Sequence, residues 1–229
     1  MKTLKTLLVL AFVGLAGSAS AQFANSGSGS GSIWTTVNTD GYNRIYFGYT
    51  GVNAKYSEDG YSESQKFPGF SVGYLRGIGL TQKLPLYLEV GGAIQFNRWS
   101  DTEDYGYGDV DLKQTLLGLN IPVSLVYRIN VTDDFAISPN FGLNFRLNLL
   151  GKGKAEQDGE SVDWNLFDDK EMEEADQGEA YKRFQAGWHI GVGFDYKAIH
   201  LGVDWGTDFN EITKNVNCKT TYVTLGYNF

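Results

Sequence analysis

The sequence predicts an all-β protein: a closed antiparallel up-and-down transmembrane β-barrel of about eight strands. Three observations predict it. Apolar and polar side chains alternate with period two in one segment after another. The connections between those segments alternate between short and long, and the chain ends on an alternating, aromatic-rich run, "TTYVTLGYNF". Period-two alternation marks strands with two unlike faces, and in an up-and-down barrel successive connections lie at opposite ends.

The elements follow in chain order. Residues 1–21 carry Lys2 and Lys5, an apolar run from Leu7 to Leu15, and Ala19-Ser20-Ala21 before Gln22. This is the form of a cleaved export signal, too short to remain as a spanning helix. No cysteine follows it, which argues against a lipid anchor. Residues 22–43 include "SGSGSGS", a flexible Gly/Ser-rich segment. Residues 44–229 then form the barrel.

Its strands lie near Ile45–Val52 and Phe70–Leu80, and in "LYLEVGGAIQF", "TLLGLNIPVSLVYRI", "FAISPNFGLNFRLNL", "RFQAGWHIGVGFDYK", "HLGVDWGTDF" and the C-terminal run. Each is near the ~9–11 residues that a tilted membrane strand needs. Arg76 is out of place on the apolar face of the second. Gaps near Thr81–Lys83, Asn130–Asp134 and Ala198–Ile199 are short. Those near Ser57–Lys66, Ser100–Asp111, Gly151–Lys182 and Asn210–Lys219 are long and polar. "SVDWNLF" and "IWTTVNT" would raise the count to ten if they also paired.

Size decides which face points inward. The interior of an eight-stranded barrel holds only modest side chains. The apolar faces are bulky, as in Phe184, Trp188, Ile190 and Phe194, whereas the opposite faces are rich in Gly, Asn, Ser and Asp. Small and polar groups therefore fill the lumen and large apolar ones meet lipid. Aromatic residues gather at both strand ends: Phe184, Trp188, Phe209, Phe145, Phe96 and Trp99 by the long loops, and Tyr127, Phe135, Tyr196, Tyr227 and Phe229 by the short turns. Such girdles suit the two bilayer interfaces.

Charge narrows the partners. The formal net charge of −8 argues against nucleic acid. Most of the excess lies in the long loop 152–182, whose "DWNLFDDKEMEEADQGE" lacks the ligand spacing of an EF-hand and reads as a solvated, mobile loop. The lone Cys218 falls in the last long loop, as a surface thiol. No motif for a metal, cofactor or nucleophile is present, so no catalytic, cofactor-binding or metal residue is assigned.

The polar residues of the lumen face form one candidate cluster: Glu89, Arg128, Arg146, His189, Asp195, Asp204 and Asp208. A two-residue hairpin loop at Ala198-Ile199 would set His189 opposite Asp208. That couple suits either a hydrolase-like site or, more simply, an ion pair in a polar plug.

The export signal, the alternating strands, the short turns facing long loops and the ending "YVTLGYNF" together resemble small outer-membrane β-barrel proteins of Gram-negative bacteria. These are the OmpX-like and OmpA-barrel-like "porin family" group. The resemblance implies the cell outer membrane, with both termini periplasmic, and a structural or surface-interaction role such as membrane integrity or adhesion. It also implies outer-membrane lipids, lipopolysaccharide and the β-barrel assembly machinery as partners, with Tyr227 and Phe229 as the assembly signal. Alternatives are a lipid- or lipopolysaccharide-modifying enzyme, a narrow porin, and a soluble periplasmic ligand-binding barrel.

Fractionation separates the last alternative from the rest. Extraction from cells should require detergent, and the folded protein should shift on a gel when heated. Release into detergent-free buffer would establish a soluble barrel instead.

Overall fold

The computed structural model describes residues 40–229 except 59, 83, 105–108 and 158. Its strands are β1 (Tyr42–Glu58), β2 (Tyr61–Gly79), β3 (Leu86–Asp104), β4 (Asp109–Tyr127), the short β5 (Ile129–Asn130), β6 (Phe135–Gln157), β7 (Glu160–Asn165), β8 (Phe184–Tyr196), β9 (Ile199–Asp208) and β10 (Val216–Asn228). Among the described residues one helix, α1, spans Asp169–Glu174. The export signal and "IWTTVNT" lie outside the described residues.

All pairings are antiparallel. The order runs β4-β3-β2-β1-β10-β9-β8-β6, and β4 pairs with β6 to close the ring. Eight strands therefore make a closed barrel. "SVDWNLF" does pair, because β7 joins β6 from Lys152↔Asn165 to Gln157↔Glu160, but only as a hairpin beyond the ring. The final strand closes onto the first, from Arg44↔Asn228 to Tyr56↔Val216. Beyond that ladder, Asn43 N–H donates to Phe229 O and Phe229 N–H to Asn43 O, each at 2.9 Å.

The faces divide as their residue sizes require. Ile45, Phe47, Tyr49, Val72, Ile94, Phe141, Leu201 and Leu225 are exposed on the outside. Arg44, Thr50, Ser71, Gln95, Asn120, Ser138, Gln185 and Asp195 are buried inside. Arg76 faces outward opposite Asn43 and Val90, near the end where β1 begins and β10 finishes. There a long side chain can reach the headgroups. Trp99 departs from the expected girdle. It shares parity with Gln95 and Asn97, so it turns inward and packs against buried Phe67.

The strands are longer than expected. β1 and β2 stay paired to Glu58↔Tyr61, and β3 and β4 to Asp104↔Asp109. Apolar alternation marks only the lipid-embedded part of a strand, whereas the backbone ladder continues into water. The regions expected as long loops are thus mostly protruding hairpins. The acidic segment is also ordered rather than mobile. Asp168 caps α1 by accepting from the N–H groups of Lys170 and Glu171, and Trp164, Leu166 and Met172 form a buried core of their own. This cap is tied to the barrel: Tyr181 OH donates to Gln114 Oε1 at 3.0 Å, and Lys182 N–H to Ile212 O at 2.6 Å. Cys218 lies not in a surface loop but in β10, buried with Val52, Phe67 and Ile212. It has lumen parity, and the cap covers that mouth.

One glycine is dictated by close approach. A Cβ at Gly69 would stand 1.9 Å from Phe96 O and 2.8 Å from Asn97 Cα, both backbone atoms of β3. Gly69↔Asn97 is also where β2–β3 pairing ends, and Asn97 Nδ2 continues the join by donating to Phe67 O at 2.8 Å. Gly69→Ala should lower barrel stability by about 1–3 kcal/mol, read as an earlier urea midpoint in lipid vesicles. In the cap, Leu166→Ala should cost about 2–5 kcal/mol locally. It should speed proteolysis within residues 158–180 while leaving the heat-dependent gel shift of the barrel intact.

Candidate functional site

The lumen holds the candidate cluster, which divides by height into three groups. At the end where β1 begins and β10 finishes, Asp195 is the hub. His200 Nδ1 lies 2.8 Å from its Oδ1, Asn228 Nδ2 donates to Oδ1 at 2.9 Å, and Ser138 Oγ donates to Oδ2 at 3.0 Å. Arg44 bridges from this hub to Glu89: Nη2 is 3.7 Å from Asp195 and Nη1 is 3.1 Å from Glu89 Oε1. Its Nε donates to Asn228 Oδ1 at 2.7 Å, and Tyr42 OH donates to Glu89. Arg128 stands at the margin, 4.0 Å from Asp195 and partly exposed.

The middle of the lumen contains His189 and Asp204. His189 Nε2 is 2.8 Å from Ser124 Oγ, and Asn140 hydrogen-bonds Asp204. A cavity of about 80 Å³ lies here, bordered by Arg44, Tyr46, Glu89, Ser124, His189 and Asp204. Asn120 Oδ1, Asn140 Oδ1 and His189 Nδ1 have no protein partner among the described residues, and all three residues line the chamber. A polar chamber of this size suits a few waters, not a path for solutes.

Toward the cap, Arg146 Nη2 donates to Asp208 Oδ2 at 2.6 Å, with both side chains about nine-tenths buried. Asn148 donates to Gln185, and Asn97 to Thr50 Oγ1 at 3.0 Å. Above them the mouth is filled by Val52, Phe67 and Ile212, with Trp99, Leu116 and Tyr181 packed alongside. Burial pushes the Tyr181 phenol up to about 12, so it remains a donor to Gln114 at neutral pH.

The expected His189–Asp208 couple is not formed. The turn falls at Lys197–Ala198, with Lys197 at φ 53, so Tyr196 faces Ile199. His189 then lies opposite Gly206, and Asp208 opposite Gly187. The displacement preserves both faces but changes every partner. Asp208 goes to Arg146, and His189 goes to Ser124. The Ser124–His189 contact by itself lacks the third group that would orient the ring, since His189 Nδ1 is unpartnered. Sequence reading missed Ser124, Arg44, Ser138, His200 and Asn228. Their lumen parity was visible, but the register that sets Arg44 against Asn228 and Asp195 against His200 was not, nor was the reach of Ser124 to His189 past the intervening strand.

Outside the barrel, β4, β6 and β7 carry mixed charge. Lys113 reaches Asp111 at 3.5 Å and Glu156 at 3.4 Å, and Lys154 reaches Glu156 at 3.0 Å. The hydrogen bond from Thr102 and the Lys113 charge hold Asp111 below the usual carboxylate range. Hydrogen bonding and charge from Lys154, with Lys113 behind it, do the same for Glu156. Among the described residues, no group of three or more His, Cys, Asp or Glu side chains is placed to hold a metal.

The family model described as "Outer membrane protein beta-barrel domain" matches residues 43–210. The chain belongs to that family. It is an integral β-barrel protein of the Gram-negative outer membrane. No protein of curated function matches it in sequence. Among solved structures it is similar to the attachment invasion locus protein Ail of Yersinia pestis, with 16% identity, TM-score 0.45, and coverage of 83% of this chain and 99% of that one. It is also similar to OprG of Pseudomonas aeruginosa (14% identity, TM-score 0.38, 82% and 95% covered) and to Neisserial surface protein A (14%, 0.37, 80% and 95%).

The Arg146–Asp208 pair offers a direct test of the lumen network. Asp208→Ala strands a buried guanidinium and should destabilise the barrel by about 3–5 kcal/mol. The double variant Arg146→Met with Asp208→Ala should recover most of that loss, measured by urea unfolding in vesicles. A single variant as stable as the wild type would show that the pair carries no weight.

Proposed function

We propose that this protein is a non-enzymatic outer-membrane barrel whose cap and hairpins form a surface-contact platform, with membrane integrity as the second part of its role. One observation carries this reading: the segment beyond the apolar band is folded. Trp164, Leu166 and Met172 make a core outside the barrel wall, and α1 and β7 are fastened to it. Ordering a surface segment costs conformational entropy, so a folded and strongly acidic one is suited to presenting a fixed shape. The filled lumen supports the same view, because ion pairs and the cap leave side chains where a diffusion path would run.

In this reading both termini are periplasmic and the cap faces the exterior. Residues 1–21 direct export and are removed. Tyr227 and Phe229 present the final strand to the assembly machinery, with Phe229 supplying the last backbone bonds to Asn43. The lipid-modifying alternative gains little from the Ser124–His189 contact, which lies inside the barrel wall, away from lipid.

Three experiments test the proposal. An epitope placed at residues 176–179 should be labelled on intact cells; labelling only after permeabilisation would reverse the orientation. Replacing residues 158–179 with a short Gly/Ser linker should abolish binding of cells to their contact surface while leaving the barrel folded. If adhesion persists and detergent sensitivity alone changes, the integrity role stands without the contact role. Deleting Phe229 should lower the folded amount in the outer membrane several-fold, measured by the heat-dependent gel shift; a normal amount would remove its role as an assembly signal.

A further inference from the structure

The outward face of β10, β1 and β2 changes character at one level. On one side of that level it presents Ile45, Phe47 and Tyr49 on β1, Phe70 and Val72 on β2, and Val223 and Leu225 on β10, all exposed and apolar. At that level Asn53 pairs with Lys66 of β2 on one side and with Lys219 of β10 on the other. Lys55 follows two residues along β1, between Ser64 and Asn217. Neighbouring strands lie ~4.8 Å apart and same-face residues ~6.8 Å apart, so these three lysines emerge within about 10 Å of one another.

All three are exposed, and none forms an ion pair among the described residues. Lys113, Lys152 and Lys154, by contrast, each reach a carboxylate. The outward neighbours of the trio are Asn53, Ser64, Thr207, Asn217 and Thr221, without a carboxylate among them. In a chain of net charge −8, these three lysines sit on one side of the barrel and the acidic cap rises from β6 and β7 on another.

Height relates the trio to the bilayer. Asn43, paired with Phe229, and Asn53 are ten residues apart on β1. At ~3.3 Å per residue and a tilt of ~40° this is ~25 Å, the height of the apolar band of such barrels. The lysines therefore stand where acyl chains give way to headgroups.

We propose that Lys55, Lys66 and Lys219 bind the phosphate groups of a phosphorylated outer-leaflet lipid, whose acyl chains lie along Phe47, Tyr49, Phe70 and Val223. Unpaired ammonium groups supply the phosphate attraction. The continuous apolar strip beneath them selects a lipid over a soluble anion. The assignment to the outer leaflet rests on the orientation given under Proposed function. Binding in vesicles does not, because both leaflets there contain the lipid.

The test uses the full folded protein in phosphatidylcholine vesicles doped with diphosphorylated lipid A or with its dephosphorylated form. Lipid retained after gentle re-extraction is measured by mass spectrometry. Wild type should retain the diphosphorylated form selectively. The variant Lys55→Gln, Lys66→Gln, Lys219→Gln should bind it roughly a hundredfold more weakly, at about fivefold per lysine. Lys152→Gln with Lys154→Gln should resemble wild type, and every variant should keep the heat-dependent gel shift. If the triple variant does not fold, Lys219→Gln alone should show the fivefold loss. Equal retention by wild type and triple variant, or equal retention of the dephosphorylated lipid, overturns the proposal. So does displacement of the lipid by millimolar inorganic phosphate, which would mark a soluble-anion site. An altered oligomeric state with unchanged retention would assign the trio to contacts between copies and overturn it as well.

Discussion

Hydrocarbon offers no partner to a backbone N–H or C=O, so the first and last strands of this chain have to pair with each other. β1 and β10 do so along their length, and the two bonds between Asn43 and Phe229 finish the seam. With β4 paired to β6 at the other join, no edge remains within the ring. Everything else is subordinate to that closure. It fixes the number of strands, the number of strands fixes the width of the lumen, and the width sorts the side chains. Bulky groups go out to lipid, while glycine and short polar groups go in. Gly69 shows how little latitude the wall leaves, because even one methyl group there would meet the backbone of the next strand.

A lumen lined with charge is expensive unless each charge finds a partner. Asp195 satisfies this by collecting bonds from His200, Ser138 and Asn228, with Arg44 beside it. Arg146 and Asp208 satisfy it as a close pair. These contacts tie β1, β6, β8, β9 and β10 together across the barrel, adding cross-links that a simple ring of neighbours lacks. They also occupy the volume that a channel would need. The middle layer is looser, with a small polar chamber beside Ser124 and His189. Sealing is completed above by an apolar plug of Val52, Phe67 and Ile212, under a cap with its own core.

Beyond the membrane the architecture changes purpose. The strands continue as hairpins because backbone pairing holds in water as well as in lipid. The acidic segment folds because Trp164, Leu166 and Met172 can be buried together, and because Tyr181 and Ile212 anchor it to the mouth. Charge is distributed unevenly around this rim: the lysines over β10, β1 and β2 have no ion-pair partner among the described residues, whereas those over β4 and β6 are paired with carboxylates of β4, β6 and β7. A rim divided in this way presents unlike surfaces on different sides of the barrel.

The sequence by itself determined the strand pattern, the inward and outward parity of nearly every barrel residue, a ring of about eight strands and its closure by the C-terminus; that β7 stays outside the ring was left to the structure. Those properties are local: alternation with period two is written residue by residue, and the narrow lumen decides which face is which. Tertiary structure alone decided who touches whom. The turn at Lys197–Ala198 moved by one residue and separated His189 from Asp208 without disturbing either face. Arg146 then found Asp208, and Ser124 found His189, across strands far apart in the chain. Trp99 turned inward because parity outranks aromatic preference. The order of the acidic cap and the burial of Cys218 were equally hidden, because they depend on apolar contacts among segments whose own composition is polar. Parity is a property of one strand, whereas pairing in the lumen depends on register and on side-chain reach across the whole barrel.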